Sequence, residues 1–239
     1  MLTVPWLIGV VLAHRAGVLD AARLLLGPAW LVGYLAFNAG TLMAKAAPAR
    51  RGRYRAALLT YGLLAAVIGG VAVLLGGIGI LWWAPVGAVL VGIALALTRR
   101  KQERSLAAGL VSVLAGTGVG VVTRFWSPLD LGDATAVELA TLAATIAYFA
   151  GTIFVVKTMI RERGSQRWVI ASIMVHLALF AGVGLAFGER WLGLLWPIWA
   201  ALALVRASVE PRWAGRLRPL HVGLVEIGMS ALLLVCVLI

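Results

Sequence analysis

Long apolar runs alternate with short polar segments from one end of the chain to the other. Apolar runs of roughly twenty residues match the length a helix needs to cross a bilayer. The pattern predicts nine such spans, at 2–19, 24–44, 55–75, 79–98, 106–123, 137–156, 168–187, 191–206 and 219–239. The eighth is short and carries Pro197, which predicts a kink or a tilt. Backbone polar groups find no water in hydrocarbon, so a span is a helix or part of a closed barrel. These runs are too continuous for the alternation of barrel strands. The expectation is an all-α integral membrane protein, a single polytopic domain over residues 1–239.

Composition agrees: 62% of the residues are hydrophobic and 13% charged, which leaves little room for a soluble domain. The net charge of +12 would suggest nucleic acid in a soluble chain. Its distribution argues for a membrane instead, with no nucleic-acid partner. Seventeen of the 21 lysines and arginines follow the even-numbered spans. They are Lys45, Arg50, Arg51, Arg53 and Arg55; Arg99, Arg100, Lys101 and Arg104; Lys157, Arg161, Arg163 and Arg167; and Arg206, Arg212, Arg216 and Arg218. The odd-numbered spans are followed only by Arg15, Arg23, Arg124 and Arg190. By the positive-inside rule the N-terminus faces the cytoplasm and the C-terminus the outside. Asp20, Asp130, Asp133, Glu138 and Glu189 fall on or near the outer side, and no aspartate falls on the inner one.

Candidate chemistry is sparse. The single cysteine, Cys236, excludes an internal disulfide and a thiolate metal site. The opening "MLTVPWLIGVVLAHRAG" lacks the basic region of a cleavable signal. It is read as a first span that starts close to the membrane or is slightly truncated. No phosphate loop, nucleophile elbow or zinc-ligand cluster is present, and His14, His176 and His221 are scattered over different spans. "GTGVG", Gly116 to Gly120, is read as close helix packing.

Polar residues inside or at the ends of spans remain. Lys157, Arg161 and Ser165 are spaced by four, which would place them on one helical face, flanked by Thr158 and Glu162. Two readings stand. The cations signal topology and snorkel to the headgroups, or they bind a phosphate or another anion directly. Asn38 in the second span serves interhelical bonding or a ligand. His176, in the seventh span, is a packing residue or a functional one. Glu226, in the last span, needs a proton or a base; His176, His221 or a loop arginine is its expected partner. Glu103 is expected to pair locally with Arg104.

The layout and local text resemble two families. "LVGYLAFNAGTLMAKA" is similar to the second helix of the UbiA superfamily of intramembrane prenyltransferases, and "LALTRRKQERSLAAGLVSVLAG" to its fourth-to-fifth helix connection. "YFAGTIFVVKTMIRERGSQR" falls where that superfamily has its second Asp-rich motif. More specifically, "KQERSLAAGLVSVLAG" and "GTIFVVKTMIRERG" resemble the YwiC-like family of bacterial membrane proteins. That family's pattern opens with a "PQHGAWA"-like segment, whereas this chain starts at "MLTVPWLIGV".

The resemblance implies a UbiA-like bundle in the bacterial plasma membrane, with a cavity open to the cytoplasmic leaflet. The enzymes bridge a diphosphate to aspartates through magnesium. Here Asn38 is kept, but Ala39 and Leu42 stand where aspartates would fall, and Thr158, Arg161 and Ser165 occupy the second motif. Two-motif magnesium chemistry is therefore not expected, and neither a metal nor a cofactor is assigned. Across the proposed cavity Arg99, Arg100 and Arg104 would face Lys157 and Arg161. The candidate ligand-binding set is Asn38, Arg99, Arg104, Lys157, Thr158, Arg161, His176 and Glu226, with no catalytic residue assigned. Three classes of function follow: an accessory protein that binds an anionic lipid or isoprenoid-like amphiphile, a transferase working without the Asp-rich motifs, and a structural subunit of a membrane assembly with a protein partner.

Overall fold

The computed structural model describes residues 3–213 and 219–239. Nine α-helices and no strand occur among them: α1 (Val4–Arg15), α2 (Ala21–Lys45), α3 (Gly52–Gly76), α4 (Ala84–Arg99), α5 (Leu106–Arg124), α6 (Ala136–Val156), α7 (Gln166–Gly188), α8 (Leu195–Val209) and α9 (Pro219–Leu238). Seven helical segments are long and apolar enough to cross a membrane, and they include α2 to α7 and α9. The protein is thus an all-α, multi-pass membrane protein. α1 has 12 residues and α8 has 15. At 1.5 Å per residue they are about 18 and 22 Å long, short of a hydrocarbon core about 30 Å thick.

Local chemistry sets the boundaries. The Asp20 carboxylate starts α2 by accepting from the Arg23 backbone N–H at 2.9 Å. Ser105 does the same for α5 through Ala108. Thr135 and Glu138 form a reciprocal capping box at the start of α6. α1 ends earlier than the apolar run predicts, because Gly17 takes the left-handed conformation (φ 71°) and closes the helix.

α8 corrects the predicted eighth span. The helix starts at Leu195, not at residue 191, so Pro197 lies in its first turn, where its missing N–H is harmless. No kink is needed. The shift also carries the helix past Arg206, which the sequence pattern had placed in a loop. Arg216 and Arg218 lie outside the described residues.

The chain divides into two compact units, Leu2–Asp133 and Ala134–Ile239. In the first, α1 packs against α5 and α2 against α3. A Cβ at Gly9 would collide with the Gly120 carbonyl oxygen, and one at Gly120 with the Pro5 carbonyl oxygen. The two backbones therefore touch, as small-residue packing predicts. Within "GTGVG" only Gly120 makes this approach; Gly116 and Gly118 face open space. Ala22, Leu26, Ala72 and Trp126 form a core, with the Trp126 indole donating to the Gly77 carbonyl at 2.8 Å. In the second unit α7 packs on α6 and α8, and α9 on α6 and α8. Val155, Met159, Ala207 and Val222 form a buried apolar cluster that joins the end of α6 to α8 and α9.

Candidate functional site: buried charges in the second unit

Arg206 of α8 and Glu226 of α9 are almost wholly enclosed, with side-chain exposures of 6% and 5%. Arg206 Nη1 lies 2.9 Å from Glu226 Oε1. The approach is off the N–H direction, so this is an ion pair rather than a well-aligned hydrogen bond. The other carboxylate oxygen, Oε2, accepts from the Tyr148 hydroxyl of α6 at 3.2 Å. The Tyr148 ring stands 5.0 Å from the Trp199 ring and 5.9 Å from the Arg206 guanidinium. Trp199 in turn donates to the Met229 carbonyl of α9 at 3.1 Å. Three helices are tied by one polar network in otherwise apolar surroundings. Removing one partner of such a pair costs about 3–5 kcal/mol, because the other charge is left buried and alone.

The network is not closed. Arg206 Nε and Nη2 are buried without a hydrogen-bond partner, and so are Ser230 Oγ and Glu210 Oε2. Glu210 follows Arg206 by one helical turn, in the short 3-10 turn Glu210–Trp213. Burial raises its carboxyl pKa above the ordinary value; the Arg206 charge partly offsets this and the Glu226 charge adds to it.

A second feature lies at the end of α6. The helix widens into a π-turn over Lys157–Arg161, a local form frequent at functional sites. The chain then turns at Gly164 (φ 80°) and enters α7. The expected shared face of Lys157, Arg161 and Ser165 is therefore not formed. The π-turn breaks the spacing of four, Arg161 is exposed, and Ser165 lies past the turn as the residue preceding α7. Lys157 is 7% exposed, and its ammonium sits 4.3 Å from the centre of the Trp168 ring. The Thr158 hydroxyl donates back to the Val155 carbonyl at 2.8 Å. Among the described residues no carboxylate pairs with Lys157.

His176 of α7 is fully buried. Its Nδ1 lies 2.8 Å from the Ser172 carbonyl, so Nδ1 carries the proton and Nε2 is left as an acceptor. The ring edge fills the space that a side chain at Gly151 would need. Neither His176 nor the exposed His221 partners Glu226; of the expected bases the arginine does.

The remaining sequence candidates belong to the first unit. Asn38 is exposed on α2, and its backbone carbonyl accepts from Thr41 at 2.8 Å. Arg99 and Arg104 are exposed around the α4–α5 connection. Glu103 pairs with Lys45 at 2.9 Å, because the end of α2 reaches that connection. The sequence reading passed over Tyr148, Trp199, Glu210 and Ser230. A phenol in the middle of an apolar run was the available signal for Tyr148.

Seven membrane-length helical segments and a buried ion pair between α8 and α9 define a polytopic α-helical membrane protein with a charged pair inside its second unit. The profile of the YwiC-like protein family matches residues 1–124. That is more than half of the chain, and the chain belongs to this family. The match ends with the last residue of α5, so Lys157 and the Arg206–Glu226 pair lie beyond it. No curated protein and no solved structure matches the chain.

Proposed function

We propose that this YwiC-like protein is a non-catalytic, accessory membrane protein that binds an anionic amphiphile, a phospholipid or an isoprenoid phosphate. The site is a UbiA-like cavity open to the cytoplasmic leaflet of the bacterial plasma membrane. Lys157 carries the reading. It is a buried cation at the end of a membrane-length helix, compensated by an indole face and, among the described residues, by no carboxylate. A buried charge without a counter-charge is costly, and an anionic headgroup supplies one. Arg161 at the rim adds a second charge, and Thr158, whose own proton is held by the Val155 carbonyl, sits beside Lys157.

The test is native mass spectrometry of the chain purified in mild detergent. Wild type retains anionic lipid. Lys157→Met, which keeps the aliphatic stem, loses it by about tenfold or more, the equivalent of one charge-assisted hydrogen bond. Arg161→Lys weakens retention, because a planar fork and a point charge are not interchangeable. Arg53→Lys, in the first turn of α3, changes nothing. Undiminished retention in Lys157→Met overturns the reading. The orientation rests on the basic segments: a reporter fused after Ile239 is expected outside and one inserted near Arg51 inside.

A further inference from the structure

α6 and α7 leave an open groove between them, within the second unit. Its volume is about 570 Å3, and its wall includes Ala140, Ala143, Ala147 and Ala150 of α6 and Ala178 and Gly182 of α7. The alanines recur at spacings of three and four, so they share one helix face. In the first unit small residues bring two backbones into touch; here they leave space. A Cβ at Gly182 would meet nothing within 4 Å, and Ala143, Ala178 and Gly182 are exposed. From Ala140 to Ala150 the groove runs about 15 Å at 1.5 Å per residue, half of a hydrocarbon core about 30 Å thick. It therefore has the depth of one leaflet. A transmembrane helix laid along α6 would need the full thickness.

The groove reaches the end where α6 begins and α7 stops. Trp191 lines it there, an exposed indole of the kind that sits at headgroup level. Leu192 lines both this groove and a second hollow of about 520 Å3, whose wall includes Arg190. Arg190 is exposed and, among the described residues, makes no ion pair with the preceding Glu189 or with any other acid. An apolar channel one leaflet deep, with an indole and an unpaired guanidinium at its mouth, matches the polarity of a phospholipid. The chain finds apolar walls, and the phosphate finds a planar set of donors.

We propose that the α6–α7 groove is a phospholipid site, in which one acyl chain lies along the alanine face and the phosphate rests on Arg190. The site lies at the opposite end of α6 from Lys157 and does not depend on the reading made for that residue. Arg190 also offers a clean substitution. It closes α7 in the left-handed conformation (φ 61°), where glycine is the usual residue, and the Trp191 N–H bonds back to the Ala186 carbonyl at 2.8 Å. Glycine at this position removes the guanidinium and suits the turn.

The experiment is photo-crosslinking of the full chain in lipid nanodiscs. The probe is a phospholipid with a diazirine midway along one acyl chain, present at low mole fraction, and labelled peptides are mapped by mass spectrometry. In wild type, segments 140–150 and 175–186 are labelled in clear excess over the exposed Leu202 and Val205 of α8. A diacylglycerol with the same chains, which lacks the phosphate, competes about tenfold less well than unlabelled phospholipid, as the loss of one charge-assisted hydrogen bond requires. Arg190→Gly lowers labelling of the groove by a similar factor, and Arg190→Lys lowers it less. Gly182→Leu, whose side chain enters open space, abolishes it. The site is overturned if the groove is labelled no more than α8, as loosely surrounding lipid would give. It is equally overturned if the diacylglycerol competes as well as the phospholipid, or if Arg190→Gly changes nothing. A groove shielded from the probe altogether, as by a second copy or another helix seated on it, also overturns it. The wild-type map and the competition decide the matter without any variant.

Discussion

The two units solve the same problem with different materials. In Leu2–Asp133 helices meet through absent side chains: Gly9 and Gly120 let α1 and α5 touch backbone to backbone, and Gly76 receives the Trp126 ring. Its charges sit at helix ends, as in the pairs Asp20–Arg23 and Lys45–Glu103. In Ala134–Ile239 helices meet through charges and aromatic rings. Half of the most apolar window of α6 is buried, against none of that of α4. Van der Waals packing suffices where backbones approach closely. A buried charge pair adds a demand for one particular partner, because any other arrangement leaves an ion alone in hydrocarbon.

The comparison can be broken most forcefully at the ion pair. Glu226→Leu removes the carboxylate in direct contact with the buried Arg206, with an expected loss of about 3–5 kcal/mol, while Arg206→Met combined with Glu226→Leu recovers most of it. Thermal unfolding in detergent, followed by size-exclusion recovery, reads both. If the double variant is as unstable as the single one, the pair is not what joins α8 to α9. Next comes Gly120→Val, which drives a side chain into the Pro5 carbonyl. About 3 kcal/mol is expected, near the upper end for overpacking, because a backbone cannot yield as a flexible side chain can. Gly116→Ala, facing open space, is the neutral control in the same assay. Equal effects at 116 and 120 would remove the close approach as the basis of the first unit.

Trp168→Leu should cost about 1 kcal/mol through the lost cation–π contact with Lys157. It should also quicken chemical modification of that lysine, measured by mass spectrometry. The smallest effect belongs to Lys45–Glu103, whose side chains are 44% and 39% exposed. Lys45→Ala should cost less than about 1 kcal/mol and vanish in high salt. A larger, salt-insensitive loss would mean that this end of the first unit also depends on charge.

The sequence alone determined the class, because lipid leaves a chain with few options. Apolar runs of spanning length must fold as helices, and their spacing located most of the helices to within a few residues. The same text carried the family resemblance that the match over residues 1–124 establishes. It also marked Glu226 as a group in need of a base. What it could not supply was the base itself. Hydropathy placed Arg206 in a loop, because an arginine at the end of an apolar run reads as a topology signal. Only the packing of α8 on α9 shows that it is buried and paired with Glu226. Likewise the spacing of Lys157, Arg161 and Ser165 implied one helical face. The π-turn and Gly164 instead separate a lysine lying on an indole from an exposed arginine. Periodicity along one helix is local and can be read from text. Which charge meets which across helices depends on rotation and register, and those are fixed only when the helices pack.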